Sequence, residues 1–230
     1  MNSFKKRTIF QEFEPFLLFT VYFLPGYLSQ SEQVNPEIFN NYLFNISFSI
    51  TAIGQILLLY YIITLKKNES LSDYGVAQFR WKNIPLSLLI CGGIFICIMP
   101  FSLIPLFGPE KTGQYFINPV QWKITDAAII PLVFITCICT GYREEAFFRS
   151  YMITFLTRKN LSPLFSILCS TILFSAGHGY QGFIGLAGTA VIGLFLSVMF
   201  IKTKNLHVIA IGHGLYNFLT LMFSMTFASQ

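Results

Sequence analysis

Three short stretches put reactive side chains into a chain that is otherwise almost all apolar: GYREEAFFRS at residues 141–150, FSAGHG at 174–179 and HGLYN at 213–217. In the first, Glu145 and Arg149 are four apart, so on a helix they form a pair on one face with the glutamate favourably N-terminal. That pair neutralises itself. Glu144 is rotated by about 100°, lacks that partner, and is the carboxylate left to accept and return a proton; the alternative is a solvated, self-paired cluster at a helix end. His178 is either a hydrogen-bonded structural residue near a segment end or a reactive imidazole four residues after Phe174. His213 and Asn217, also four apart, face one way on a helix. They serve either as bonds between helices or as donors aimed at a developing oxyanion.

Those side chains depend on the elements that carry them. Of 230 residues, 54% are hydrophobic and 11% charged, against roughly 25% charged in soluble domains. This is the composition of a membrane protein. Polar breaks divide the chain into about seven apolar segments, at 14–29, 40–65, 84–107, 126–157, 162–180, 182–201 and 206–228, which predicts an all-α polytopic helical bundle in one membrane domain, 1–230. The first apolar run lacks a small-residue cleavage site, so it is expected to be retained. Of the 15 Lys and Arg residues, only Lys111 and Lys123 fall to one side. Lys5, Lys6, Arg7, Lys66, Lys67, Arg80, Lys82, Arg143, Arg149, Arg158, Lys159, Lys202 and Lys204 lie on or toward the other, which places the N-terminus in the cytoplasm.

The fourth segment is too long for a simple span, since a helix from 126 to 157 measures about 48 Å. Either 143–157 leaves the membrane as an interfacial helix, or 144–157 sinks into it, where ionisable groups are costly and by default functional. Counted from the turn RKNLSP, Glu144 and His178 both lie about 20–24 Å away, so antiparallel helices set them side by side. His213 and Asn217 lie about 13 and 20 Å from Lys204 on the same count. The interfacial arrangement breaks the match; the sunken one gives a shared polar cavity.

Several classes are excluded. The net charge of +5 comes from loops and helix ends rather than a basic face, so no nucleic-acid partner is expected. All five cysteines sit in apolar runs without C-x-x-C spacing and read as small core residues. Asp73 and Asp126, the only aspartates, fall at loops or span ends, no G-x-S-x-G supports a serine nucleophile, and H-E-x-x-H is absent. His207 reads as an interfacial residue. Gly182, Gly185, Gly188 and Gly193 suggest close helix packing, Pro100, Pro105 and Pro131 kinks or span ends, and Trp81 and Trp122 boundary anchors.

With EEAFFR, FSAGH and HGLYN in this order, the chain resembles the CPBP family of intramembrane proteases, which includes CAAX prenyl endopeptidases and bacterial Abi proteins linked to bacteriocin processing and self-immunity. The resemblance covers about Leu132 to Phe218, within an expected catalytic core at about 126–228. It implies that Glu144 and His178 activate a water for attack on a peptide carbonyl, that His213 and Asn217 stabilise the oxyanion, and that Glu145 and Arg149 support the helix. It leaves the cofactor as none or a divalent metal: zinc on Glu144, His178 and His213 is one form, metal-free chemistry with Glu144 as base the other and the one adopted here. The implied partners are the lipid bilayer, a membrane-associated peptide or protein substrate and a further membrane protein; the implied location is the cell membrane, multi-pass, in a bacterium. Ser150 departs from the pattern, since a glycine commonly follows the motif arginine, and this bears on helix packing more than on chemistry. The competing readings are a catalytically silent binding or regulatory protein, such as an immunity factor or sensor-kinase partner, and a small transporter whose buried charges mark a substrate or proton path.

Overall fold

A computed structural model describes residues 9–29, 35–107 and 123–228; Lys5, Lys6, Arg7, Lys111 and Trp122 lie outside them. The described residues are helices and turns without strands. The helices are α1 (Ile9–Tyr22), α2 (Leu24–Ser29), α3 (Tyr42–Thr64), α4 (Ile84–Phe107), α5 (Ala127–Arg158), α6 (Pro163–Ala176), α7 (Gly182–Thr203) and α8 (Leu206–Ala228). Their starts follow local chemistry. Side chains of Asn41, Asp126 and Ser162 accept hydrogen bonds from the amides of Phe44, Ala128 and Phe165, which satisfies donors that a first turn leaves open. Pro131 and Pro163 stand in first turns, where a missing N–H costs nothing.

Five of these helices, α3, α4, α5, α7 and α8, are long and apolar enough to cross a membrane, and the protein is a multi-pass membrane protein. Among the described residues, five of the seven segments expected from hydropathy are thus helices of spanning length, and the other two are the shorter apolar helices Phe13–Tyr22 and Pro163–Ala176. The reasons are local: the first segment breaks at Phe23 ahead of Pro25 and Gly26, and the fifth ends at Ala176, before Gly177 and Gly179. His178 thus sits in a turn rather than on a helix.

At the centre, α8 packs against both α4 and α5; α3 covers the other side of α5, and α6 lies between α7 and the second half of α5. Large apolar side chains point outward all round, among them Leu43, Leu89 and Ile96, each more than 70% exposed. In water that surface would aggregate; in hydrocarbon it is solvated. The Lys and Arg side chains of the 65–82 and 158–162 connections and of the α7–α8 turn gather at one end, with Lys123 at the opposite end. Arg143 and Arg149, counted in the sequence with the basic side, instead belong to the interior of α5.

The long fourth segment is one continuous helix whose middle, Ala146–Ile153, is π-helical. Every residue of that stretch is buried, so it is enclosed by protein rather than laid along an interface. Phe147 and Phe148 pack on Phe23 with ring centres 5.1 and 4.7 Å away, and Ser170 donates to the Phe148 carbonyl at 2.6 Å. Ser150 uses its hydroxyl: Oγ donates to the Tyr74 carbonyl, tying the π stretch to the 65–82 connection at a position where glycine could make no such bond.

Candidate active site

The site is set by how closely two helices approach. A Cβ on Gly141 would lie 2.6 Å from the Ala210 carbonyl oxygen and 2.7 Å from the Gly214 nitrogen; one on Gly214 would lie 2.9 Å from Ile138 Cα. On the other side of His213, a Cβ on Gly212 would meet the Ser87 carbonyl of α4 at 2.8 Å. Two glycines thus let α8 press backbone to backbone on α5 and α4, and the histidine between them is delivered against the glutamates one turn beyond Gly141.

There His213 meets both carboxylates. Its Nδ1 is 2.8 Å from Glu145 Oε1, and its Nε2 is 3.9 Å from Glu144 Oε2. A carboxylate only accepts, so Nδ1 carries the proton of that first bond. Glu145 also pairs with Arg149, Nε to Oε2 at 3.2 Å, and both side chains are 0% exposed. The sequence-expected pair is therefore present, and Glu145 has a second task that spacing could not reveal: it joins α5 to α8. Glu144 is the more open of the two, with 13% of its side chain exposed and Arg143 NH2 3.6 Å from its Oε1. The Arg143 guanidinium is itself held over the rings of Phe23 and Phe48, 5.3 and 4.8 Å from their centres.

Phe174 is the hub on the other side. The Arg149 guanidinium lies 4.1 Å from its ring centre, and the rings of His178 and His213 lie 5.0 and 5.9 Å from it. Arg149 also reaches the Gly193 carbonyl at 3.5 Å, and Gly193 leaves room for Phe174 and Thr171. His178 Nδ1 is 3.0 Å from the Phe174 carbonyl; since that oxygen only accepts, Nδ1 holds the proton of this bond. His178 lies within electrostatic reach of Glu144, His213 and Arg149. Glu144, Glu145, Arg149, His178 and His213 are thus brought together from three elements. Asn217, one turn beyond His213 on α8, is half-buried, and its side-chain amide makes no hydrogen bond among the described residues.

No three His, Cys, Asp or Glu side chains among the described residues converge so as to hold a metal ion. The Nδ1 atoms of His178 and His213 are already committed to Phe174 and Glu145. A metal at this place would have to be taken by Glu144 and the Nε2 atoms of His178 and His213, with Phe174 and Glu145 orienting the two rings.

Other sequence-singled residues find bland roles. His207 donates from Nε2 to the Ala77 carbonyl at 2.7 Å and accepts the Tyr142 hydroxyl on Nδ1 at 2.9 Å, so it pins the 65–82 connection to α5 and α8. Gly182 serves a turn at φ 78° rather than helix packing, and Gly185 faces only the Gln181 side chain of its own turn. Gly188, by contrast, makes room for Ile98 of α4. Asp126 accepts from the Tyr42 hydroxyl and Asp73 from the Ser70 amide, both away from the site. What sequence reasoning missed is Gly141, Gly212, Gly214 and the aromatic clamp on Arg143; the G-H-G run around His213 was the available signal for the glycines.

Residues 126–219 match the family model described as Rce1-like, type II CAAX prenyl endopeptidase, a match consistent with the CPBP family. Neither the curated proteins nor the solved structures contain a significant match.

Proposed function

From a chain that carries an Rce1-like segment at residues 126–219, in keeping with the CPBP family, we propose an intramembrane endopeptidase that uses Glu144 as general base on a water. The observation that carries the reading is the convergence of Glu144, His178 and His213 from three separate elements, with Glu144 Oε2 3.9 Å from His213 Nε2. In this reading the water lies between Glu144 and His178 Nε2. Both accept, so its two protons are held and its oxygen lone pair is left for the peptide carbonyl. Glu144 takes one proton as the C–O bond forms and returns it to the leaving amine. His213 and the unengaged amide of Asn217 meet the oxyanion. For His213 this requires a proton on Nε2 as well as Nδ1, and the Glu145 carboxylate is the counter-charge for that ring.

The finer assignments belong to this proposal: the substrate is a membrane-associated peptide or protein, the setting the cell membrane of a bacterium with the N-terminus in the cytoplasm, and the role peptide maturation or self-immunity to a bacteriocin, with a further membrane protein as partner. No step is routed through a metal. Mass spectrometry of membrane peptides from cells carrying the wild type or Glu144→Gln, His178→Ala, His213→Ala and Asn217→Ala tests it. A cleaved product should vanish in Glu144→Gln and His178→Ala and fall about 100- to 1,000-fold when an oxyanion donor is removed. A product that survives in Glu144→Gln at normal expression sinks the hydrolase, and a phenotype that survives in all four favours the silent binding protein. Dependence on an ion gradient without any product would favour transport. Chelation of the purified protein reads metal dependence separately.

A further inference from the structure

A trough of about 520 Å³ opens on the outside of the bundle where α1 faces the last turns of α5 and one side of α6 along its length. Its walls include Pro15, Phe16, Phe155, Leu156, Cys169 and Ile172, and the one charged side chain on its lining is Lys159. None of these residues belongs to the glutamate–histidine cluster. The volume falls in the range of about 300–1,000 Å³ that ligand sites occupy.

The charge at its rim distinguishes this trough from ordinary lipid-facing surface. Two neighbouring cations at the basic end are paired: Lys66 Nζ is 2.7 Å from Glu14 Oε1, and Arg158 is 3.1 Å from Asp73 and 3.6 Å from Glu69. Lys159 has no ion pair among the described residues; its Nζ lies 5.2 Å from the centre of the Phe155 ring, which is itself trough wall. A cation on a flexible stem above an apolar channel, at the end of the bundle where basic side chains gather, complements an amphiphile with an anionic head and a hydrocarbon tail.

We propose that the trough binds an anionic phospholipid of the membrane, its phosphate on Lys159 Nζ and an acyl chain laid along Phe155, Cys169 and Ile172. The bound lipid bridges α1 to the α5–α6 pair and so adds to the Glu14–Lys66 ion pair that fastens α1. A zwitterionic head fits less well, because its own ammonium group competes with Lys159 for the phosphate.

The test is native mass spectrometry of the full chain, delipidated in detergent and titrated with dioleoyl phosphatidylglycerol or dioleoyl phosphatidylcholine. The wild type should retain one phosphatidylglycerol about fivefold more tightly than phosphatidylcholine, the preference expected of one lysine at an anionic surface. Lys159→Glu should abolish or invert that preference, and Cys169→Trp, which fills the trough, should weaken both lipids. If Cys169→Trp fails to fold, Lys159→Glu and Lys159→Gln carry the comparison, with thermal unfolding as control. Equal retention of the two lipids by the wild type, or an undiminished preference in Lys159→Glu, overturns the proposal. So does a dimer that holds no lipid and that Cys169→Trp dissociates, which would make a second copy of the chain the occupant. The readout is independent of proteolysis, so this proposal and the peptidase reading fail separately.

Discussion

Glu144 and Glu145 are neighbours in sequence with opposite requirements. Glu145 is fully enclosed and answers to two donors at once, the Arg149 guanidinium at 3.2 Å and the Nδ1–H of His213 at 2.8 Å. Glu144 is partly open and touches no donor closer than 3.6 Å. Loss of charge at the first should therefore cost stability, and at the second only chemistry. Removing one partner of a buried ion pair costs about 3–5 kcal/mol, so Glu145→Gln should lower the thermal midpoint markedly, whereas Glu144→Gln should unfold close to the wild-type temperature while losing product. Thermal unfolding in detergent checks both, and equal midpoints for the two variants would contradict the division of labour. That division was half legible in the sequence. The four-residue spacing identified the Glu145–Arg149 pair and left Glu144 spare, because an i,i+4 contact is local. The bond from Glu145 to His213 spans 68 residues and depends on how α8 docks, so no spacing rule could anticipate it.

At the scale of elements, the site is a consequence of glycine placement. The approach of α5 to α8 leaves no room for a methyl group at Gly141, whose would-be contacts at 2.6 and 2.7 Å are with backbone atoms. Overpacking of this kind costs about 1–3 kcal/mol, and because the clash forces the helices apart it should also withdraw both glutamates from His213. Gly141→Ala is accordingly expected to lose stability and product together. Gly54→Ala on α3, where a Cβ meets nothing within 4 Å, should instead gain up to about 1 kcal/mol from helix propensity. Denaturation midpoints alongside a cleavage assay distinguish the two, and a Gly141→Ala protein as stable and active as wild type would show that the close approach is dispensable. The sequence pointed to other glycines, Gly182 and Gly185 among them, because small-residue patterns mark packing without saying which face meets another helix. Hydropathy likewise placed seven segments well but overestimated two of them, since the breaks at Phe23 and Ala176 are made by turn residues inside stretches that remain apolar.

For the molecule as a whole, the two ends are fastened by carboxylates on connections rather than by the spans. Hydrogen bonds from Ser70, followed by the Arg158 charge, hold the Asp73 carboxyl below the usual aspartate range; the Tyr42 hydroxyl and the Ala128 amide do the same for Asp126 at the other end. A carboxyl whose folded pKa is depressed contributes stability that is present above its unfolded value and is lost as pH falls through the folded one. The contribution of Asp73 should therefore be complete above about pH 4 and fade below it. Thermal midpoints of the wild type and Asp73→Asn should differ at pH 7 and draw together as the pH falls below the usual aspartate range; a gap that does not narrow in acid would mean the loop is held by something other than this charge. Orientation was read from the same connections, and its strength lies in Lys66, Lys67, Arg80, Lys82, Arg158, Lys159, Lys202 and Lys204, since the two arginines of α5 serve the interior.

The π-helical turns between Ala146 and Ile153 have a consequence for any attempt to transplant this machinery. Such a stretch accommodates one more residue than regular α-helix over the same length, so everything beyond it is turned by about 100° relative to an uninterrupted helix. A borrowed sequence that keeps every reactive letter but drops that single surplus residue would swing Arg158 and Lys159 to a different side of the bundle, and the glutamate–histidine cluster would lose its registration with the basic end of the same helix.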